Sequence, residues 1–283
     1  MSAGATPPLA GATLLAPEPH AGRYAHALSC CFFATRPAFL SVTAGGWLVG
    51  LAAVLLSGLP LDALRAAATL LFALLAHAGV NVLNDYCDAI DGTDALNHER
   101  VFPFTGGSRF IQNGVLSAAQ TAWLGYGLLV AVVPAGLWLA LQAPALIAIG
   151  AAGLFVGWAY SARPLALMRR GWGEPCVTAG FLLIVAGTDC VQRGGIAWQP
   201  VLLGLPYALL VTNILFLNQF PDYAGDRAAG KRNWVVRLGP QRARWVYLPI
   251  ALGAHAMMLA LCIGGAGNVP ASAALALLAA PFS

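Results

Sequence analysis

Charge is scarce in this sequence: 9% of its 283 residues are Asp, Glu, Lys or Arg, while 59% are hydrophobic. Soluble domains carry about 25% charged residues, so this chain has too little polar material to cover a water-facing surface. That excludes a string of soluble domains and points to an all-α polytopic membrane bundle. Metal-site spacing is lacking too. Cys30, Cys31, Cys87, Cys176, Cys190 and Cys262 include no pair spaced as for zinc, and most sit in or beside apolar segments as small hydrophobes. His20, His26, His77, His98 and His255 form no spaced ligand set and receive no role. Residues 1–22 have neither a basic start nor a long apolar core, so they do not read as a cleaved signal. Their Ala, Pro and Gly content reads as a disordered tail ahead of a single transmembrane domain, 23–283. The net charge of +4 is no nucleic-acid signal, because the basic residues lie between apolar segments, where topology explains them.

What the sequence does have is a series of apolar runs. A span needs about 20 residues, and candidates cover 38–58, 63–83, 116–140, 143–161, 172–190, 199–219 and 244–264. An eighth, 268–282, is short and contains Pro270 and Pro281. Of the 15 Lys and Arg, all but Arg65 and Arg193 fall at the N-terminus or in the loops after spans 2, 4 and 6. This bias predicts that those regions are cytoplasmic, in a bacterial inner membrane. Asp85, Asp88, Asp91, Asp94, Glu99, Asp222 and Asp226 gather on the same side, with only Asp62 and Asp189 clearly opposite. Acidic residues do little to orient a membrane protein, so their clustering has another cause.

The first cluster is NDYCDAIDGTD, residues 84–94. If span 2 continues as a helix, Asn84 and Asp88 share one face, continued by Asn81 and Asp91. Gly92 offers a place to stop. The second cluster, NQFPDYAGDR, covers 218–227, and its Asn218, Asp222 and Asp226 repeat the spacing of four. Like charges four apart repel, more strongly near a bilayer, unless a cation sits between them. Carboxylate and amide oxygens are hard ligands that suit Mg²⁺, an ion held by one or two carboxylates plus substrate phosphates. Two such clusters facing each other would clamp a diphosphate through metal ions.

These residues resemble the UbiA superfamily of intramembrane prenyltransferases. The resemblance rests on Asn84-Asp85-x-x-Asp88 with Asp94, paired with Asp222-x-x-x-Asp226-x-x-x-Gly230-Lys231, and it runs from about Arg36 to Gly239. Gly106-Gly107-Ser108, Tyr160-Ser161-x-x-Pro164 and Arg170-Gly171-x-Gly173-Glu174 make it most similar to the menaquinone branch, which prenylates 1,4-dihydroxy-2-naphthoate. Related branches act on 4-hydroxybenzoate, homogentisate, haem, chlorophyllide or archaeal glycerol lipids. The resemblance implies a bundle of usually nine spans, where about eight are counted here, two rather than three after the second motif. Trp234 stands where the branch more often has a small or aliphatic residue.

The implied reaction moves a polyprenyl group from its diphosphate to an aromatic acceptor within membrane lipid. The expected metal ligands are Asn84, Asp88, Asp94, Asp222 and Asp226. Arg109, Arg163, Lys231 and Arg232 are candidates for phosphate oxygens. Tyr160, beside Ser161, would face the allylic cation, with Tyr86 a further candidate. Arg36 would meet an acceptor carboxylate, or serve only as a topology arginine. Asp91, or another carboxylate of the first cluster, could take the acceptor's proton. Asp85 is expected off the ligand face, and Asp189 with Arg193 as an interface pair on the far side. Two other readings stay open: a superfamily relative that ionises a prenyl diphosphate without this acceptor, such as a cyclase, and a divalent-cation transporter. A transporter would place its acidic groups near the bilayer midplane.

Overall fold

The protein is seen in a computed structural model that describes residues 13–24 and 26–263. Eleven α-helices form among them: α1 (Ala27–Ala34), α2 (Pro37–Leu56), α3 (Ala63–Ile90), α4 (Thr93–Leu96), α5 (Ala118–Ala140), α6 (Leu146–Ser161), α7 (Gly173–Arg193), α8 (Gln199–Asn218), α9 (Tyr223–Ala228), α10 (Trp234–Leu238) and α11 (Pro240–Ile263). Six of these, α2, α3, α5, α7, α8 and α11, are long and apolar enough to cross a membrane, and α6 is a shorter apolar helix. All seven expected spans before residue 264 are therefore helical. The eighth, 268–282, lies outside the described residues.

Sequence fixes the helix ends locally. The Asp62 carboxylate accepts from the Arg65 amide at 3.0 Å and caps α3. Ser117 and Gln120 form a reciprocal capping box at α5. α3 runs well past the span expected over 63–83, through the first acidic cluster to Ile90, and turns at Gly92 with φ 75°. Without a hydrophobic drive between helices in lipid, close approach depends on small residues. A Cβ on Gly50 of α2 would lie 2.7 Å from the Val185 carbonyl of α7, and one on Gly125 of α5 would lie 3.0 Å from the Leu83 amide of α3.

The two ends of the bundle differ. At one end Arg193 closes a fork on the buried Asp189 carboxylate, 2.7 Å to each oxygen, and also donates to Ser57. This pair stitches α7 to the end of α2. The other end carries both acidic clusters and the long loop between α4 and α5. The N-terminal segment departs there from the disordered tail expected over 1–22. Thr13–Leu14 pair in parallel with Val101–Phe102, and Glu18 takes both an ion pair from buried Arg100 at 2.7 Å and a hydrogen bond from Asn113. Burial would raise the Glu18 pKa, but Asn113 and Arg100 together hold it below the usual value. A buried arginine needs such a partner, and the tail supplies it. Residues 1–12 lie outside the description.

Candidate active site

A cavity of about 570 Å³ opens among α2, α3, α5, α6, α7 and α8. Its rim is polar: Asn84, Asp88, Asp94, Asn218, Asp222, Asp226 and Lys231 all line it. Its depth is apolar, walled by residues such as Leu129, Val132, Ile149, Leu154 and Val191. The two acidic clusters, about 130 residues apart in the chain, therefore face one space.

They reach it through different backbones. Asn84 and Asp88 sit a turn apart on continuous α3, and the Asn84 amide donates to Asp88 at 3.2 Å and to Ser161 Oγ at 3.1 Å. The second cluster is broken. α8 ends at Asn218, Pro221 falls in the turn, and α9 begins at Tyr223. Its carboxylates are held from outside instead. Asn97, in the loop after α4, donates to Asp222 at 2.5 Å, and Asn233 donates to Asp226 at 2.7 Å.

Lys231 joins the two clusters. Its buried ammonium is 2.9 Å from Asp88 and 3.3 Å from Asp226. Burial alone would lower its pKa, but the two carboxylates outweigh that and keep it charged, well above the usual lysine range. Burial, then the neighbouring Asp226, raises Asp222 to about 6. Asp226 is also raised, its burial outweighing the attraction of Lys231. Asp94 is pushed well above the usual range by burial and by Asp88 and Asp85.

Other expected site residues are placed differently. Tyr160 and Arg36 line the cavity. Arg36 stacks over Phe39 at 4.5 Å, lies 3.8 Å from Asp85, and has a buried Nε without a partner. Asp85 is buried and accepts from the Ser108 amide. Ser161 contributes through Asn84. Arg163 is placed away from the cavity wall, with its side chain 76% exposed and bound to Asp91 at 2.6 Å. Arg169 takes the other Asp91 oxygen at 2.6 Å. Asp91, the expected continuation of the Asn84–Asp88 face, is thus turned toward arginines where α3 ends. Arg109 is buried but donates to the Asp94 carbonyl at 2.6 Å, so it holds the loop rather than facing the cavity. Sequence reasoning missed Asn97 and Asn233, and quoted Gln219 and Glu174 within motifs without giving them a site role. Gln219 lines the cavity and donates to Glu174 at 2.7 Å. Only buried Gln and Glu beside a motif could have hinted at that pair.

Fold and site define a polytopic integral membrane protein whose cavity suits an amphiphile with an anionic head. The chain belongs to the UbiA prenyltransferase family, whose profile matches residues 46–283. It is similar to 1,4-dihydroxy-2-naphthoate octaprenyltransferase of Mycobacterium leprae (strain TN), at 32% identity over 202 residues covering 70% of this chain and 66% of that one. It is similar to the enzyme of the same name from Mycobacterium tuberculosis (strain ATCC 25618 / H37Rv), at 36% over 173 residues, 60% of this chain and 56% of that one. The matches thus span 66% and 56% of these relatives' lengths. Among solved structures, a UbiA homolog from Archaeoglobus fulgidus bound to DMAPP and Mg²⁺ superposes with a TM-score of 0.67 at 15% identity, covering 89% of this chain and 84% of that one. That likeness establishes the shared helical fold.

Proposed function

We propose that this chain transfers a polyprenyl group from its diphosphate to an aromatic acceptor, 1,4-dihydroxy-2-naphthoate, with Mg²⁺ as cofactor. One observation carries the reading: Asn84 and Asp88 on α3, Asp222 in the α8–α9 turn and Asp226 on α9 face one cavity that is mainly apolar below them. The names of the mycobacterial relatives support the acceptor, and the DMAPP and Mg²⁺ of the archaeal structure support the donor and the metal.

The donor set fits Mg²⁺. Among the described residues no three His, Cys, Asp or Glu side chains converge on one point. The rim instead offers pairs of carboxylate and amide oxygens on facing elements, which suits an ion completed by substrate phosphates. The oxygens of Thr93 and Asn97 line the same rim, buried and without protein partners. Asn84, Asp88, Asp222 and Asp226, with Asp94 behind them, would hold the ion, which supplies Lewis-acid neutralisation of the departing diphosphate.

The chain's own groups do the rest. Lys231, its charge favoured by Asp88 and Asp226, offers a hydrogen bond to the diphosphate as negative charge grows on it. Tyr160 presents an aromatic ring where C1 becomes cationic, and the apolar walls keep water away from it. Arg36, with Nε free and Phe39 against its face, takes the acceptor's carboxylate. Ser161 fixes the Asn84 amide. Arg109 and Arg163 act on the loop and on Asp91 rather than on phosphate. The rim and the N-terminus face the cytoplasm, as the distribution of Lys and Arg supports. A divalent-cation path is less well supported, because the carboxylates crowd one end and no carboxylate lines the cavity below them.

The test supplies purified protein with labelled polyprenyl diphosphate, Mg²⁺ and a panel of aromatic acids. Lipid-soluble prenylated naphthoate is the expected product. Diphosphate release without an acceptor product would favour a relative that ionises the donor alone. No diphosphate consumption, with Asp88→Ala and Asp222→Ala indistinguishable from wild type, overturns the reading.

A further inference from the structure

A histidine within an apolar span is costly unless it has work there, and His77 lies in the middle of α3. His77, Asn81, Asn84 and Asp88 are offset by four, seven and eleven residues, which puts them on one helix face. All four line the cavity. His77 is therefore the deepest ionisable member of a polar stripe that begins at the acidic rim, about 10 Å below Asn84 at 1.5 Å per residue.

Its neighbours divide the cavity. The Nδ1 of His77 meets Thr43 Oγ1 of α2 at 2.7 Å, and its ring stands edge-on to Phe181 of α7 at 5.7 Å. This side of the cavity also holds Arg36 and Phe39. The other side, between α3, α5 and α6, presents apolar groups such as Val80, Leu129 and Leu154 below Tyr160. An isoprenyl tail needs the second wall. A flat ring carrying an acid and a hydroxyl needs the first, with a cation at one end, aromatic edges along it and a hydrogen-bonding atom at depth.

We propose that His77 binds the ring hydroxyl of the aromatic acceptor while Arg36 holds the carboxylate, so that the acceptor lies on the α2–α7 side and the prenyl tail on the α5–α6 side. Thr43 is a positioning residue that fixes the imidazole through Nδ1. The inference rests on the proposed aromatic acceptor and adds the residue that reads its hydroxyl.

The test is a cycle of two ligands and two proteins. Binding of 4-hydroxy-2-naphthoate, whose hydroxyl stands clear of its acid, and of 2-naphthoate is measured by calorimetry on full-length detergent-solubilised wild type and His77→Leu. One hydrogen bond is worth about fivefold to tenfold in affinity, so wild type should prefer the hydroxylated acid by about that factor and His77→Leu should show no preference. His77→Gln, which keeps a hydrogen-bonding side chain, should recover part of it. A merely structural histidine would weaken both ligands equally and leave the preference intact. Persistence of the preference in His77→Leu, or its absence in wild type, overturns the assignment. Failure of the proposed function reads out separately, as absence of diphosphate release by wild type with every acceptor.

Discussion

The two acidic clusters share a spacing of four residues but are held in place by different means. In the first, Asn84 and Asp88 ride on unbroken α3, where helix geometry sets their alignment and Ser161 steadies the Asn84 amide. In the second, the helix stops before Asp222 and resumes after it, so partners distant in sequence fix the carboxylates: Asn97 for Asp222 and Asn233 for Asp226. One half of the site is thus built by secondary structure and the other by tertiary hydrogen bonds. Changes near the second half should act through neighbours that are not themselves acidic.

The largest effect tests whether both halves serve one reaction. Asp88→Ala and Asp226→Ala should each lower kcat/KM on the order of 10³-fold, the scale of losing a principal electrostatic element, with helical content by circular dichroism unchanged. A large loss in one and none in the other would break the pairing. Lys231→Met, which removes the ammonium between the halves, comes next. Removing one partner of a buried ion pair costs about 3–5 kcal/mol, to be read as a lower unfolding midpoint in detergent, with activity down about 10²-fold.

The pH dependence follows from the second half. The Asp222 pKa is raised to about 6, so the neutral acid is favoured in the folded protein below that pH and the charged ligand above it. Proton and metal compete for the same oxygen, so divalent-cation affinity should fall as pH drops through about 6, more steeply in wild type than in Asp222→Asn. Titration of Mn²⁺ binding between pH 5 and 8 checks it. Asn97→Ala should be milder. It removes one hydrogen bond to a charged group, about 1.5–3 kcal/mol at most, and should raise KM for the prenyl diphosphate about tenfold with little change in kcat. The smallest effect belongs to Arg163→Ala, whose exposed pairing with Asp91 should leave kcat/KM within about twofold of wild type.

The spans were legible because hydropathy is a local property averaged over many residues, and the first acidic cluster was legible because a helix repeats every 3.6 residues. The turn at Pro221 preserved the spacing of the second cluster by a route that spacing could not show. Asn97 and Asp222 are 125 residues apart, and no periodicity links a loop amide to a distant carboxylate. The basic residues show the same limit. Arg109, Arg163, Lys231 and Arg232 all read as loop charges available to phosphate. Which one enters the cavity depends on the path of the backbone around it, and only Lys231 does. His77 was passed over because it lacks ligand partners in sequence, whereas its meaning comes from the wall it occupies.

The tethered ammonium of Lys231 has a consequence for how the molecule is made. Carboxylates left bare at a membrane surface would oppose helix assembly, and a newly inserted chain cannot count on metal arriving on time. Lys231 carries its own positive charge into the gap between Asp88 and Asp226, so the bundle can close during biogenesis without any ion. If the site takes metal and diphosphate as proposed, loading would be an exchange in which Asp88 and Asp226 turn to the metal and Lys231 turns to phosphate. One residue would then serve the folding of the bundle first and the binding of substrate later.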